Sequence, residues 1–295
     1  PKKGDLTVCD NSRDVTLLSV PSKIFGKVLI NRIRDGADKE LRDEQAGFRK
    51  GRSTEFFIVR NIIEQSVEWQ AGLYINFVDF EKAFDSVHRE SLWNIMRCYG
   101  IPEKLIRMVQ LLYKDTQCAV IDEGEESEWF SVKNGVKQGC AMSGFLFLLV
   151  LDFVMRRTTK DKYTGIRWKL ITKLEDLDFA DDIALLSSTL QMMQGKILKL
   201  QEQAARTGLR VSTKKSKILR INGKSTEPIT VNGQNLDETD KFTNLGGVVT
   251  TQGGGGDDIT RRIGKARTAF RKLNRIWKSS NYSIKTKVHL YNSLV

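Results

Sequence analysis

The sequence predicts an α+β domain, on three observations. Stretches whose apolar residues recur with a period of two interleave along the chain with stretches at helical spacing. Short strand-like runs meet at the turn signals Asn222-Gly223 and Asn232-Gly233. The 295 residues are 40% hydrophobic and 28% charged, the balance of a globular chain rather than a fibrous repeat or a disordered one.

Taken in order, Thr16 to Arg34 reads as a basic amphipathic helix, with Ile24, Val28, Leu29 and Ile33 on one side and Lys23, Lys27, Arg32 and Arg34 elsewhere. A second helix covers roughly Thr54 to Trp69. Between them Gly47-Phe48-Arg49-Lys50-Gly51-Arg52-Ser53 sets cations between glycines, a composition that suits phosphate and equally a solvated turn. Leu73 to Phe80 reads as a strand on which Leu73, Ile75, Phe77 and Asp79 share one face, so an acid ends an apolar row. A helix with Leu92, Ile95, Met96 and Tyr99 in register stops at Gly100, and Pro102 opens the next, which carries Leu105, Met108, Val109 and Leu112. Gln117–Ile121 and Trp129–Val132 read as paired strands around an acidic turn, followed by a buried helix from about Phe145 to Arg156.

Leu174 to Ser187 can fold as a hairpin with Asp181 and Asp182 at its tip, and Gln191 to Thr207 as an amphipathic helix ended by Gly208. Gly253 to Gly256 mark a flexible joint. Beyond it Ile259, Ile263, Ala266, Phe270, Leu273 and Trp277 form a helical stripe. Eight cations against Asp257 and Asp258 leave +6 over residues 257–278, half of the chain's +12. That density favours a nucleic-acid backbone over a merely solvated face.

The balance of 48 Lys and Arg against 36 Asp and Glu points to a polyanionic partner. His88 and His289 are the only histidines, which excludes a His-rich zinc cage and leaves almost nothing for a Ser-His-Asp triad; metal chemistry would rest on carboxylates. Cys9, Cys98, Cys118 and Cys140 show no CxxC spacing, so a zinc ribbon and a dense disulfide framework are not expected and a reducing compartment is. The longest apolar run, Phe145 to Leu151, is too short to span a membrane. Pro1 in place of Met, and the absence of a helix stop after Val288, give the expectation of a piece of a longer chain.

Glu175, Asp176, Asp178, Asp181 and Asp182 place five acids in eight residues beside apolar Ile183-Ala184-Leu185-Leu186. Adjacent carboxylates held partly out of water repel each other, and protonation or a bound divalent cation relieves this. A sheet can bring Asp79 beside them, and three carboxylates in a basic protein suit metal-assisted phosphoryl transfer.

Four ordered blocks carry a resemblance: Phe77-Val78-Asp79-Phe80-Glu81-Lys82-Ala83-Phe84-Asp85, Gln138-Gly139-Cys140-Ala141-Met142-Ser143, Phe179-Ala180-Asp181-Asp182, and Gly208-Leu209-Arg210 through Lys215-Ser216. The chain resembles the reverse transcriptases of non-LTR (LINE-type) retrotransposons, from Asn11-Ser12-Arg13 to Phe242-Thr243-Asn244-Leu245-Gly246. Group II intron maturases and other cellular reverse transcriptases share the core blocks less closely.

The resemblance implies a right-hand polymerase fold, with fingers over residues 1–70, palm over 71–252 and a truncated thumb from 253. The palm would include a finger-associated insertion near 101–135 and a primer-grip turn near 240–250. It implies an RNA-directed DNA polymerase that joins a DNA primer's 3′-hydroxyl to dNTPs on an RNA template, with two Mg2+ ions for which Mn2+ can substitute. Asp79, Asp181, Asp182 and the Phe80 carbonyl would hold the metals. Arg13 would grip the triphosphate, Phe84 lie under the sugar and exclude a 2′-hydroxyl, and Gln138 and Gly139 lie against the nucleotide. Lys215 would protonate the leaving pyrophosphate. Charge alone assigns Arg49 and Arg52 to template phosphate and Arg262 and Lys265 to the duplex. The family pattern is broken at Asp14 (usually Gly), Gly144 (often Pro) and Asn244 (commonly aromatic). The resemblance also implies an intracellular, nuclear protein flanked by further polyprotein segments, with no membrane partner. Two other readings stay open from residues alone: a nucleic-acid-binding remnant without catalysis, and a carboxylate-metal nuclease.

Overall fold

The computed structural model describes residues 16, 18–47, 49, 55–122, 124–160, 163–168 and 173–294. Its helices are α1 (Val20–Ala37), α2 (Glu55–Glu68), α3 (Ala83–Ser86), α4 (Arg89–Cys98), α5 (Glu103–Tyr113), α6 (Ser143–Thr158), α7 (Leu190–Ala205), α8 (Gly256–Lys272), α9 (Asn274–Lys278) and α10 (Ile284–Leu294). The main sheet has five strands, β1 (Leu73–Val78), β2 (Asp176–Phe179), β3 (Asp182–Ser187), β4 (Lys217–Ile221) and β5 (Asp237–Glu238), in the spatial order β5-β4-β1-β3-β2. All neighbours are antiparallel except β4 and β5. Small hairpins flank it, among them Gln117–Cys118 with Phe130–Ser131 and Lys241–Asn244 with Gly247–Thr250.

β1 lies at the centre of the sheet. It is buried on both faces. Leu73, Ile75 and Phe77 join Val59, Ile62 and Ile63 of α2, while Tyr74 and Val78 join the cluster formed with α4, α6 and α7. Helix α6 supplies the middle of that second cluster: Phe145 through Leu151 are all nearly inaccessible, as an all-round apolar helix requires. Local signals set the helix ends. Thr189 caps α7 by accepting from the Met192 N–H, and Gly208 follows its end at φ +87°, a conformation that favours glycine. Asn232 and Gly233 both have positive φ, as the two-residue turn between Val231 and Gln234 demands.

One expectation is corrected. In α1 the buried row is Leu29, Ile30, Ile33 and Ala37, whereas Ile24 and Val28 are exposed, because the helix runs on to Ala37 and buries chiefly its C-terminal half. The glycine run, expected as a flexible joint, turns the chain from the preceding hairpin into α8. Gly253 and Gly254 have positive φ, and a Cβ on Gly255 would stand 2.5 Å from the Arg60 guanidinium. Asp258 then ties α8 to the preceding hairpin by accepting from the Val248 N–H at 3.0 Å.

The feature least visible in sequence is a buried ionic knot. The Arg42 guanidinium reaches Asp152 of α6 at 3.2 Å, Asp176 at 2.7 Å and Asp178 of β2 at 2.5 Å. Tyr99 donates its hydroxyl to Asp152, and Arg156 adds a second cation at 3.3 Å. Three ionised acids would outnumber the two cations in a medium that penalises charge. Burial, then the neighbouring charge of Asp176, raises the Asp178 carboxyl well above the usual range against the pull of Arg42. Removing the enclosed cation of this knot should therefore be costly. Arg42→Met is expected to lose about 3–5 kcal/mol in urea unfolding, whereas Asp178→Asn, which removes one of three acids that share this cation, should lose far less. Equal losses for the two variants would contradict this account.

Candidate active site

The site grows from strand register. β1 pairs with β3 down to Val78 opposite Ile183, so the next positions outward set Asp79 opposite Asp182. Side chains alternate along both strands, and Asp79 continues the row of Phe77 while Asp182 continues that of Ala184, itself Phe77's partner. Two carboxylates thus cap a row that is apolar further in. Asp181 and Ala180 form the tight turn between Phe179 and Asp182, with Ala180 at φ +56°.

Backbone bonds hold Asp79 in place. Its carbonyl accepts from the Ser212 N–H at 2.8 Å and its own N–H donates to Ser216 Oγ at 3.1 Å. With the Glu81 N–H donating to the Arg210 carbonyl at 2.9 Å, Phe80 and Val211 become a non-hydrogen-bonded antiparallel pair. In such a pair the carbonyl points away from the partner strand, so the Phe80 carbonyl is directed to the side of β1 on which the Asp181–Asp182 turn lies. Lys215 Nζ stands 3.2 Å from Asp79 Oδ1, with both side chains about half exposed.

Of the five clustered acids, the structure sends three inward and leaves two at the tip. Asp176 and Asp178 belong to the Arg42 knot, and Glu175 pairs with buried Lys196 at 2.8 Å while accepting from Thr164 at 2.7 Å. Asp181 and Asp182 remain exposed. Although Asp182 meets solvent on part of its surface, partial desolvation, then Asp181, then Asp79 push its pKa up to about 6. Surplus negative charge is the electrostatic signature of a cation site.

Among the described residues no three acid, His or Cys side chains already close into a metal cage. The donor set nevertheless fits a hard divalent cation: it consists of carboxylate oxygens and one carbonyl, it is short of positive charge, and its one counter-ion is a mobile lysine at Asp79. Asp79, Asp181, Asp182 and the Phe80 carbonyl could hold such an ion.

Around this centre Phe84, half-buried, stacks on Phe147 with ring centroids 4.5 Å apart. Its carbonyl accepts from the Val136 N–H at 2.7 Å, which fixes the segment leading to Gln138 and Gly139. Gly139 is exposed at φ +103°, and the Gln138 carbonyl accepts from the Thr16 N–H at 2.8 Å. Arg13, Asp14 and Arg52 lie outside the described residues. Arg262 and Lys265 sit apart on α8, both exposed, with Arg262 paired to Asp258 at 2.8 Å.

Arg49 corrects the sequence reading. Its side chain is only 5% exposed and its donors are taken by Asp38 Oδ1 at 2.9 Å and by the carbonyls of Asp38, Arg42 and Gln45. It ties its own loop together and is not free to meet phosphate. That loop instead buttresses the tip. Buried Gln45 accepts from the N–H groups of Gly47 and Ala180, and a Cβ on Gly47 would fall 2.0 Å from the Ala180 nitrogen. The glycine signal was in the sequence; what approaches it was not.

Comparison with known proteins adds the following. The family described as "Reverse transcriptase (RNA-dependent DNA polymerase)" matches residues 1–249. The retrovirus-related Pol polyprotein from type-1 retrotransposable element R2 of Nasonia vitripennis is 26% identical over 253 residues, 82% of this chain and 24% of that protein. The Pol polyprotein from type-2 retrotransposable element R2DM of Drosophila melanogaster is 29% identical over 224 residues, 74% of this chain and 21% of that one. The chain thus spans under a quarter of the length of these curated relatives. In fold it is similar to apo telomerase from Candida tropicalis, with a TM-score of 0.51 at 16% identity over 79% of this chain and 40% of that one.

The raised pKa of Asp182 has a measurable effect. An unfolded aspartate titrates near about 3.9, so between about pH 4 and about pH 6 the native state holds the extra proton and stability falls as pH rises through that window. Thermal melts are expected to show Asp182→Asn more stable than the parent above pH 6, with the gap closing toward about pH 4. A gap independent of pH would show that Asp182 titrates normally.

Proposed function

Because the chain belongs to the reverse transcriptase (RNA-dependent DNA polymerase) family, we propose that it extends a DNA primer on an RNA template, as the polymerase segment of a non-LTR retrotransposon polyprotein. The observation that carries this reading is the register that sets Asp79 opposite Asp182 at the open end of the sheet, with Asp181 in the adjoining turn.

In the reaction the primer 3′-oxygen bonds to the α-phosphorus of a dNTP, the bond to the β-phosphate bridging oxygen breaks, and pyrophosphate leaves. Asp79, Asp181, Asp182 and the Phe80 carbonyl would hold two Mg2+ ions, for which Mn2+ could substitute, and such ions would supply a lowered pKa for the attacking hydroxyl and charge neutralisation at the leaving oxygen. Lys215, 3.2 Å from Asp79 on a half-exposed side chain, would give its proton to the leaving pyrophosphate. Phe84, steadied by Phe147, forms the floor under the sugar, and Gln138 with Gly139 lies along the nucleotide, where the glycine admits close backbone approach. Arg13 grips the triphosphate.

On this reading residues 1–70 act as fingers, 71–252 as palm and 253 onward as the start of a thumb. Arg262 and Lys265 of α8 then follow the duplex backbone, and Arg52 the template. The basic surplus on α8 supports this, since each neutralised phosphate releases counterions and strengthens binding at low salt.

Primer extension on an RNA template with dNTPs and Mg2+ tests the proposal. The intact chain should incorporate dNTPs, and Asp181→Ala with Asp182→Ala should lower the rate by a factor of about 10³ or more. Absent product from the parent, or undiminished product from the double variant, contradicts it. Phe84→Ala should raise ribonucleotide incorporation relative to dNTPs in single-nucleotide kinetics, and an unchanged preference removes that assignment.

A further inference from the structure

Beyond the acids, a cavity of about 630 Å³ opens near the C-terminal end of α6. Arg156, Arg157, Lys160 and Arg206 line it, with Phe153 in one wall and Glu40 as the one lining acid. We propose that this cavity binds a nucleic-acid phosphate backbone at a second place, outside the template-primer channel.

The two sites are far apart. α6 starts at Ser143, whose hydroxyl donates to the Lys137 carbonyl beside Gln138, and Arg157 comes fourteen residues later, about 20 Å along the helix axis. A strand lying at the nucleotide loop would have to run the length of α6 to reach the cavity.

A simpler explanation for the cations is compensation of helix ends, and magnitudes decide how far it reaches. α6 and α7 both end here, and each C-terminus carries roughly half a negative charge. Four cations, less Glu40 and those two half charges, leave about +2 before the pairing of Arg156 with Asp152 and of Arg206 with Glu202 is counted. Individual partners take up the charge of two of the four, and Arg157 and Lys160 carry what is left. Arg156 is committed to Asp152, an acid already shared with Arg42, and to the Glu40 carbonyl. Arg206 pairs with Glu202 at 2.6 Å, but both side chains are more than half exposed, where such pairs are weak. Arg157 lies over the Phe153 ring at 4.5 Å, and among the described residues neither it nor Lys160 has a carboxylate partner.

The arrangement suits a chain of phosphates better than one small anion. The cations come from two helices and the turn after α6, around an open groove, with Arg156 and Lys160 roughly one helical turn apart. Guanidinium groups grip phosphate oxygens in a fixed plane, and stacking on Phe153 pre-orients that of Arg157. The phosphodiester backbone could belong to a distal part of the RNA or to flanking DNA. The RNA alternative rests on the polymerase reading, whereas the charge argument does not.

The test uses the whole chain carrying Arg157→Gln, Lys160→Gln and Arg206→Gln, all at exposed positions. Fluorescence anisotropy would follow binding of a short template-primer, of a long structured RNA and of a long DNA duplex over a range of salt. The variant should bind at least one long ligand about tenfold or more weakly, with a salt slope lower by about two, and extend the short template-primer as the parent does. Which long ligand is affected identifies the source of the backbone. Unchanged affinity for both long ligands overturns the proposal, as does a parallel loss of extension on the short template-primer. A charge-conserving variant, Arg157→Lys, Lys160→Arg and Arg206→Lys, should bind as the parent does, and its failure would overturn the proposal too. Since binding is read separately, a parent without polymerase activity refutes the proposed function and leaves this test intact.

Discussion

Much of this molecule depends on one buried guanidinium. Arg42 is the shared partner of Asp152 on α6 and of Asp176 and Asp178 on β2, so a loop, a helix and an edge strand meet at a single charge. Each acid would be a serious liability alone in that interior, and none is tolerable there without the others' cation. The knot does more than neutralise. It binds the loop carrying Gln45 and Gly47 to the outer side of β2, where Gln45 bridges to Asp178 and covers an otherwise open sheet edge.

That covering sorts the acids of one hairpin into two populations. Asp176 and Asp178 point toward α6 and are held by Arg42, whereas Asp181 and Asp182 stand at a turn beyond the reach of either buried cation. The same residue type has opposite electrostatic fates over a few positions, because strand alternation and the turn decide which side each carboxylate faces. A negative centre survives in a strongly basic chain because its nearest cation, Lys215, sits on a flexible stem and contacts Asp79 rather than the turn.

Legibility in the sequence followed the range of the interaction. Helices set by local periodicity and stop signals, such as α4 with Gly100 and α7 with Gly208, were readable to within a few residues. Asp79 and the Asp181–Asp182 turn were readable because each interrupts an apolar pattern. The knot was not, since Arg42 lies 110 to 136 positions from the acids it holds. One trace of it was present: Asp152 directly follows the longest apolar run, and a carboxylate on a buried helix needs a partner somewhere. Arg49 was misread for the complementary reason. A cation between glycines looks the same in sequence whether it faces solvent or folds back on its own carbonyls. The buried face of α1 and the two-sided burial of β1 likewise depended on what packs against them.

The fit of Gly47 against Ala180 also bears on how the site can move. With no room for even a methyl group between them, and with Gln45 bonded to both, the turn holding Asp181 shares a rigid boundary with the loop anchored by Arg42. The carboxylates of the tip cannot swing as an independent flap. Any movement of the tip must therefore carry that loop along, so the acids and the loop anchored by Arg42 behave as one mechanical unit.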